Sequence, residues 1–293
     1  MVHAASRRSP LRAIANGRPL PLDSRVLLMG VLNVTPDSFS DGGCYLDPRA
    51  AVEHAIAMQE EGADLIDVGA ESSRPGAEPV GESEELIRLM PVLEALCARL
   101  TIPLSVDTTK AGVARRALDA GASIVNDVSA LRFDPSMGQV IANKGAGLIL
   151  MHMQGVPQTM QHDPIYRDVV GEVRRFFIDR MQAAAGDGIA PEQILLDPGI
   201  GFGKNLQHNL TLLANLEALE DLGRPIVVGV SRKAFIGQVL DRRVGDRLFG
   251  TAAAVAMAIL HGARVVRVHD VGAMRDVVKM VEAIEQQRAS SIL

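Results

Sequence analysis

Eight short apolar runs, each rich in β-branched residues and most followed by a polar turn and a helical stretch, organise this sequence. They fall at 26–34, 65–70, 103–107, 124–128, 147–153, 194–197, 225–230 and 265–268. Each is apolar almost throughout rather than alternating, as expected of parallel strands covered on both faces. Helical stretches lie between them, for example at 48–61, 83–99, 110–120, 168–185 and 206–219. Strand–helix alternation implies a parallel sheet with right-handed crossovers. Such a sheet is either open, with its site at the switch point, or closed, with every strand end able to contribute. Here all eight ends carry polar groups: Asn33, Glu71 to Arg74, Asp107, Asn126-Asp127, His152, Asp197, Ser231 to Lys233, and Arg267 to His269. Only closure lets them converge. The expected fold is α/β, a single (β/α)8 TIM barrel over 25–293 with a leader at 1–24. Length alone would suggest two domains, but a barrel of roughly 250 residues is an accepted exception, and no composition break divides the chain.

Composition narrows the function classes. A net charge of −5 supplies no basic excess to neutralise phosphates, so nucleic acid is not an expected partner. The longest apolar stretch, near 251–260, is Ala-rich and too short to span a bilayer, and no apolar core follows Arg7 and Arg8. Cys44 and Cys97 lack metal-ligand spacing and cannot build a disulfide framework. The chain is expected to be cytoplasmic with reduced thiols.

Five constellations carry chemistry. After the first strand comes Asn33-Val-Thr-Pro-Asp-Ser-Phe-Ser-Asp-Gly-Gly43, longer than most strand-to-helix loops and therefore expected to bind or to cover a ligand. Its Asn33 offers an amide oxygen suited to Mg²⁺ held on a phosphate, since Mg²⁺ keeps few protein ligands. After the second strand, Ser73 and Arg74 put a hydroxyl and a guanidinium in one turn, fit for phosphate oxygens. At the eighth, alternation sends Arg267 and His269 to one face, giving an anion site with Arg74. Asp107, Asn126 and Asp197 stand among apolar residues, where an unpartnered carboxylate is costly. They could bond neighbouring loop amides. A 2-amino-4-oxopyrimidine edge, with its amine and ring N–H side by side, suits them better, and two carboxylates with an amide suit a pterin.

The fourth, Asp197-Pro-Gly-Ile-Gly-Phe-Gly-Lys204, fails as a phosphate loop: Pro198 stands where Gly is required and Asn205 where Ser or Thr is. It reads instead as a tight loop whose glycines let backbone approach a flat ligand, with Phe202 packing beside it. The fifth, Gly229-Val-Ser-Arg-Lys-Ala-Phe-Ile-Gly237, runs from a strand into a helix start, where backbone N–H groups and Lys233 favour an anion. Met151 and Met153 share one face of the fifth strand and fill core or line the pocket. His152 has no second metal ligand at a recognisable spacing.

Together, in this order, these runs resemble the dihydropteroate synthase family over about residues 26–280. The resemblance implies condensation of 6-hydroxymethyl-7,8-dihydropterin diphosphate with p-aminobenzoate, giving 7,8-dihydropteroate and diphosphate, with Mg²⁺. It implies that Asp107, Asn126 and Asp197 hold the pterin, Lys233 meets it at the edge, and Asn33 serves the metal. Ser73, Arg74, Arg267 and His269 would hold the diphosphate. Phe39 and Asp41, on the first loop, and Pro75 would close over p-aminobenzoate. The sequence departs from the family's usual pattern at Ser73, where Thr is common, and at Ala234, where many members have Ser. A homodimer through the late helices is implied, and the small residues of 251–258 would allow close packing. Two other readings compete: a methyltetrahydrofolate-to-corrinoid methyltransferase, which needs no diphosphate clamp, and a non-catalytic pterin-binding paralogue.

Overall fold

The computed structural model describes residues 14–15, 18–22, 25–35, 48–72 and 76–290. Eight parallel strands close a barrel in chain order. They are β1 Leu27–Asn33, β2 Leu65–Gly69, β3 Leu104–Asp107, β4 Ile124–Asp127, β5 Gly147–Met151, β6 Ile194–Asp197, β7 Ile226–Gly229 and β8 Ala263–Val268. The last pairs with the first, Arg267 opposite Met29. All eight expected strands are found, with ends moved by two residues or fewer.

Helices cover the outside: α1 Pro48–Glu60, α2 Glu82–Arg99, α3 Ala111–Ala120, α4 Met137–Lys144, α5 Val169–Gly186, α6 Leu206–Ala214, α7 Ala234–Leu240, α8 Leu248–Leu260 and α9 Val271–Ser290. Helix α3 shows why they form. Ala111, Ala114, Ala117 and Leu118 recur at helical spacing and are buried, while Arg115, Arg116 and Asp119 face water. Gly121 ends it at φ +121. Asp168 starts α5 by accepting a hydrogen bond from the Gly171 amide.

One expectation is corrected. The stretch 206–219 is not one helix: α6 stops at Ala214, because Asn215 leaves helical geometry and donates its amide to the Thr211 carbonyl. A tighter turn over Leu216–Leu222 then buries Leu216 and Leu219. Helix α8 is two-sided: Thr251, Val255 and Ala258 pack against the molecule's own barrel, while Ala253 is exposed and Ala252, Ala254 and Ala256 are half-buried, beside Phe249, 86% exposed, with Met257 and Leu260.

The interior has two levels. Leu27, Met29, Leu65, Ile124, Ile149, Leu195, Val227 and Val265 form an apolar plug, with Leu20 and Leu22 closing it from below. Their strand neighbours, such as Leu28, Ile66, Val125, Leu196 and Val266, belong to the outer core under the helices. Among the described residues no helix is long and apolar enough to cross a membrane. Because Leu65 is wholly buried in the plug, Leu65→Ala should destabilise by about 2–5 kcal/mol, read as a shift in the urea unfolding midpoint. A change below about 1 kcal/mol would mean that the plug is not tightly packed.

Candidate active site

Side chains alternate along a strand, so the residue two past each plug residue also points inward, one level higher. Two past Leu65 is Asp67; past Ile124, Asn126; past Ile149, Met151; past Leu195, Asp197; past Val265, Arg267. On β3 the outward partners are Leu104 and Val106, so Ser105 and Asp107 face in. On β1, Asn33 shares the parity of Leu27 and Met29. The plug is apolar. The layer above it, at the C-terminal ends of the strands, holds the charged and amide side chains, with Met151, Val31 and Gly229 as its apolar members.

A guanidinium organises one half of that layer. Arg267 Nε donates to Asp67 Oδ2 at 2.7 Å and Nη2 to Asp107 Oδ2 at 3.2 Å. Asn126 Nδ2 donates to the same Asp67 oxygen at 2.9 Å. Burial raises the Asp107 carboxyl pKa, and the Asp67 carboxylate adds to this while Arg267 opposes it. Burial also weighs against the Arg267 charge, but Asp67 and Asp107 outweigh it and raise its pKa. Among the described residues, Asp67 Oδ1, Ser105 Oγ and Asn126 Oδ1 are buried without a hydrogen-bond partner. Each such atom costs on the order of 1–3 kcal/mol, so the layer is shaped for a polar guest rather than for stability.

The other half is built by the loop after β6. Asp197 Oδ1 accepts from the Gly199 amide at 2.7 Å; burial raises its pKa, with Lys233 the strongest opposing charge. Gly199 has φ +66, and a Cβ there would run into the His152 carbonyl, so only glycine fits. Lys233 caps α7, donates to the Ile200 carbonyl and stands 4.3 Å over the Phe202 ring. Burial lowers its pKa to about 8 against the pull of Asp197. Phe202 packs on the cluster of Val128, Met151, Met153 and Met160. His269 Nδ1 lies 3.0 Å from Ser231 Oγ.

The structure thus brings Asn33, Asp107, Asn126, Met151, Asp197, Phe202, Lys233, Arg267 and His269 to one end of the barrel. Phe39, Asp41, Ser73, Arg74 and Pro75 lie outside the described residues. Asp67 and Ser105 escaped the sequence reading, although an Asp in the middle of the apolar run Leu65-Ile-Asp-Val-Gly69 was the available signal. Asp127 is a structural carboxylate: it accepts from the Ser129 and Leu131 amides. No group of three His, Cys, Asp or Glu among the described residues could hold a metal. Concavities of about 500 and 590 Å³ lie elsewhere, one outside α2 and α3 and one beneath the plug, and neither contains a residue of the polar layer.

A closed (β/α)8 barrel with carboxylates, an amide and cations around one mouth defines a class. Residues 29–269 match the pterin binding enzyme family, and the chain belongs to it. Within that family it stands with the dihydropteroate synthases. The dihydropteroate synthase of Synechocystis is 49% identical over 89% of this chain and 90% of its own. The Yersinia pestis dihydropteroate synthase, solved with a sulfonamide drug, superposes with a TM-score of 0.89 at 46% identity, covering 94% of this chain and 100% of that one. The Xanthomonas albilineans enzyme, solved with 4-aminobenzoic acid, gives a TM-score of 0.87 at 45% identity, covering 94% and 98%.

Arg267→Met should leave Asp67 and Asp107 facing each other without a cation. The arginine is 21% exposed, so the expected loss is about 2–3 kcal/mol rather than that of a fully buried pair. Burial already raises the Asp107 carboxyl, and losing the cation that opposes this would make it hold its proton to still higher pH in the folded state. The deficit should therefore be smallest in acid and grow as pH rises toward and through the folded pKa of Asp107. Unfolding midpoints of both proteins at pH 5 and pH 8 check this; an equal deficit at both would refute the pairing.

Proposed function

We propose that this protein condenses 6-hydroxymethyl-7,8-dihydropterin diphosphate with p-aminobenzoate, releasing diphosphate and 7,8-dihydropteroate. The observation that carries the reading is the single inward layer in which Asp107, Asn126 and Asp197 stand beside Arg267 and Lys233. Asp107, Asn126 and Asp197 receive the amine and ring N–H edge of the pterin, and Met151 lines the pocket beside Asp197, its neighbour in register. Lys233 meets the ring at the edge, with Phe202 beneath it. Arg267 and His269, with Ser73 and Arg74, take the diphosphate, while Phe39, Asp41 and Pro75 enclose p-aminobenzoate.

The reaction needs no side-chain nucleophile. The bond between the pterin methylene and the diphosphate oxygen breaks, its electron pair leaving with the diphosphate. Cations around that oxygen stabilise the departing charge, and carboxylates around the ring stabilise the carbon cation left behind. The arylamine nitrogen then attacks and loses a proton. Asn33, half-buried at the C-terminal end of β1, would hold Mg²⁺ through its side-chain amide oxygen, a hard donor of the kind this ion accepts. Bound there, Mg²⁺ would add positive charge at the leaving oxygens.

The exposed Phe249, Met257 and Leu260 of α8, with Val239 and Val244 nearby in sequence, supply the apolar face for a homodimer. The half-buried free thiol of Cys97 suits a reducing compartment, and the cytoplasm is the proposed location.

The test is diphosphate release from the pterin diphosphate and Mg²⁺, with and without p-aminobenzoate. Release should require p-aminobenzoate and fall by about 10²-fold or more in Lys233→Ala and Arg267→Ala. Tight pterin binding without release would identify a paralogue that has lost the reaction. The Lys233 charge is present below its pKa of about 8 and lost above it. The kcat/KM for the pterin diphosphate should therefore decline as pH rises through about 8, and Lys233→Arg should remove that decline. For the dimer, light scattering of Phe249→Glu at micromolar concentration should give half the mass of the parent; a parent already monomeric would exclude the assembly.

A further inference from the structure

Lys204 closes the glycine loop after β6, yet it stands away from the polar layer. It is 3% exposed. Its Nζ donates to the carbonyls of Gly199 at 3.0 Å, Phe202 at 2.9 Å and His152 at 3.3 Å, and lies 2.9 Å from His152 Nδ1. Four acceptors therefore converge on one amine, and they come from two loops, those following β5 and β6. A lysine with three carbonyls around its head is not a solvated surface charge. It occupies the position that a bound cation or a buried water would otherwise fill.

The carbonyls it gathers decide where their neighbours point. With the Gly199 and Phe202 carbonyls turned inward to Nζ, the Ile200 carbonyl between them faces Lys233 Nζ, and the Gly201 carbonyl accepts from Gln161 Nε2. The Gly199 amide is left to meet Asp197 Oδ1. Phe202 is set under Lys233. Tyr166 Oη holds the Gly203 carbonyl from the outer side at 2.7 Å. His152 is buried, edge-on to Phe176 at 4.8 Å between ring centres. Burial, with Lys204 and Arg132 adding, lowers its pKa to about 2. A neutral ring can offer Nδ1 to the lysine.

We propose that Lys204 is a positioning residue for pterin binding: by holding the Gly199, Phe202 and His152 carbonyls, it fixes the loop that keeps Asp197 and Lys233 in register. This rests on the reading of the polar layer as the pterin site. The Lys204 amine faces the loop carbonyls rather than the barrel mouth. Its effect reaches the ligand through the backbone of the loop.

Lys204→Met keeps an unbranched side chain one atom shorter and removes all its donors. The full-length variant and parent are titrated with 6-hydroxymethylpterin, whose fluorescence is easily followed because the chain has no Trp. p-Aminobenzoate-dependent diphosphate release is measured in parallel. The expected result is a pterin Kd raised about tenfold or more at unchanged stoichiometry, with the KM for p-aminobenzoate within about twofold of the parent. A merely structural role would instead lower the number of binding sites and leave the Kd of the remainder unchanged, and that result overturns the proposal. Should Lys204→Met not fold, Lys204→Gln, which keeps two N–H donors for the three carbonyls, is expected to raise the Kd by a smaller factor; an unchanged Kd there is equally fatal. If both proteins bind pterin as expected but neither releases diphosphate, the proposed reaction fails and the role of Lys204 stands.

Discussion

The pairing of Arg267 with Asp67 is the contact on which the mouth of this barrel depends. Neither group could stay inside alone, since an isolated charge among apolar strands is far costlier than any hydrogen bond it forgoes. Paired at 2.7 Å, they place a fixed cation among strands whose inward residues one level down, Ser105 aside, are apolar. Asp107 and Asn126 then find partners that they would otherwise lack, one on the guanidinium and one on the shared Asp67 oxygen. β8 is joined to β2, β3 and β4 by this net, across ladder bonds that could not by themselves set side-chain geometry. The remaining unpartnered atoms, Ser105 Oγ among them, mark where complementarity was given to a guest instead of to folding.

Most of the architecture was legible because it depends on period. Eight apolar runs separated by helical stretches admit few arrangements, and the polar residues at all eight ends select closure. Asp107, Asn126, Asp197 and Arg267 were readable for the same reason: each is a polar residue at the end of an apolar run. Asp67 was harder. It sits two residues before its strand ends, within an apolar run, and its justification is Arg267, 200 residues away in sequence. Nothing local announces such a partner.

Failures of a second kind came from short-range backbone chemistry. The stretch 206–219 carries helical periodicity throughout, but Asn215 breaks it by bonding back to Thr211. In α8, periodicity gives two faces but not their direction; the packing of Val255 and Ala258 on the barrel shows which side is inward and leaves Ala253 on the outer one. Lys204 illustrates a third case. Sequence could say what the Gly-rich run was not, while the three carbonyls that define the lysine's surroundings are backbone atoms with no signature in residue type.

The plug of Leu20, Leu22 and the lower strand residues has a consequence for traffic. It makes the barrel a well with a floor, reachable from one side only. Any molecule held at the polar layer must therefore enter and leave across the same rim, and whatever sits at that rim narrows the path to whatever sits beneath it. The apolar floor imposes this shared route without touching a guest, and a channel through the barrel would abolish it.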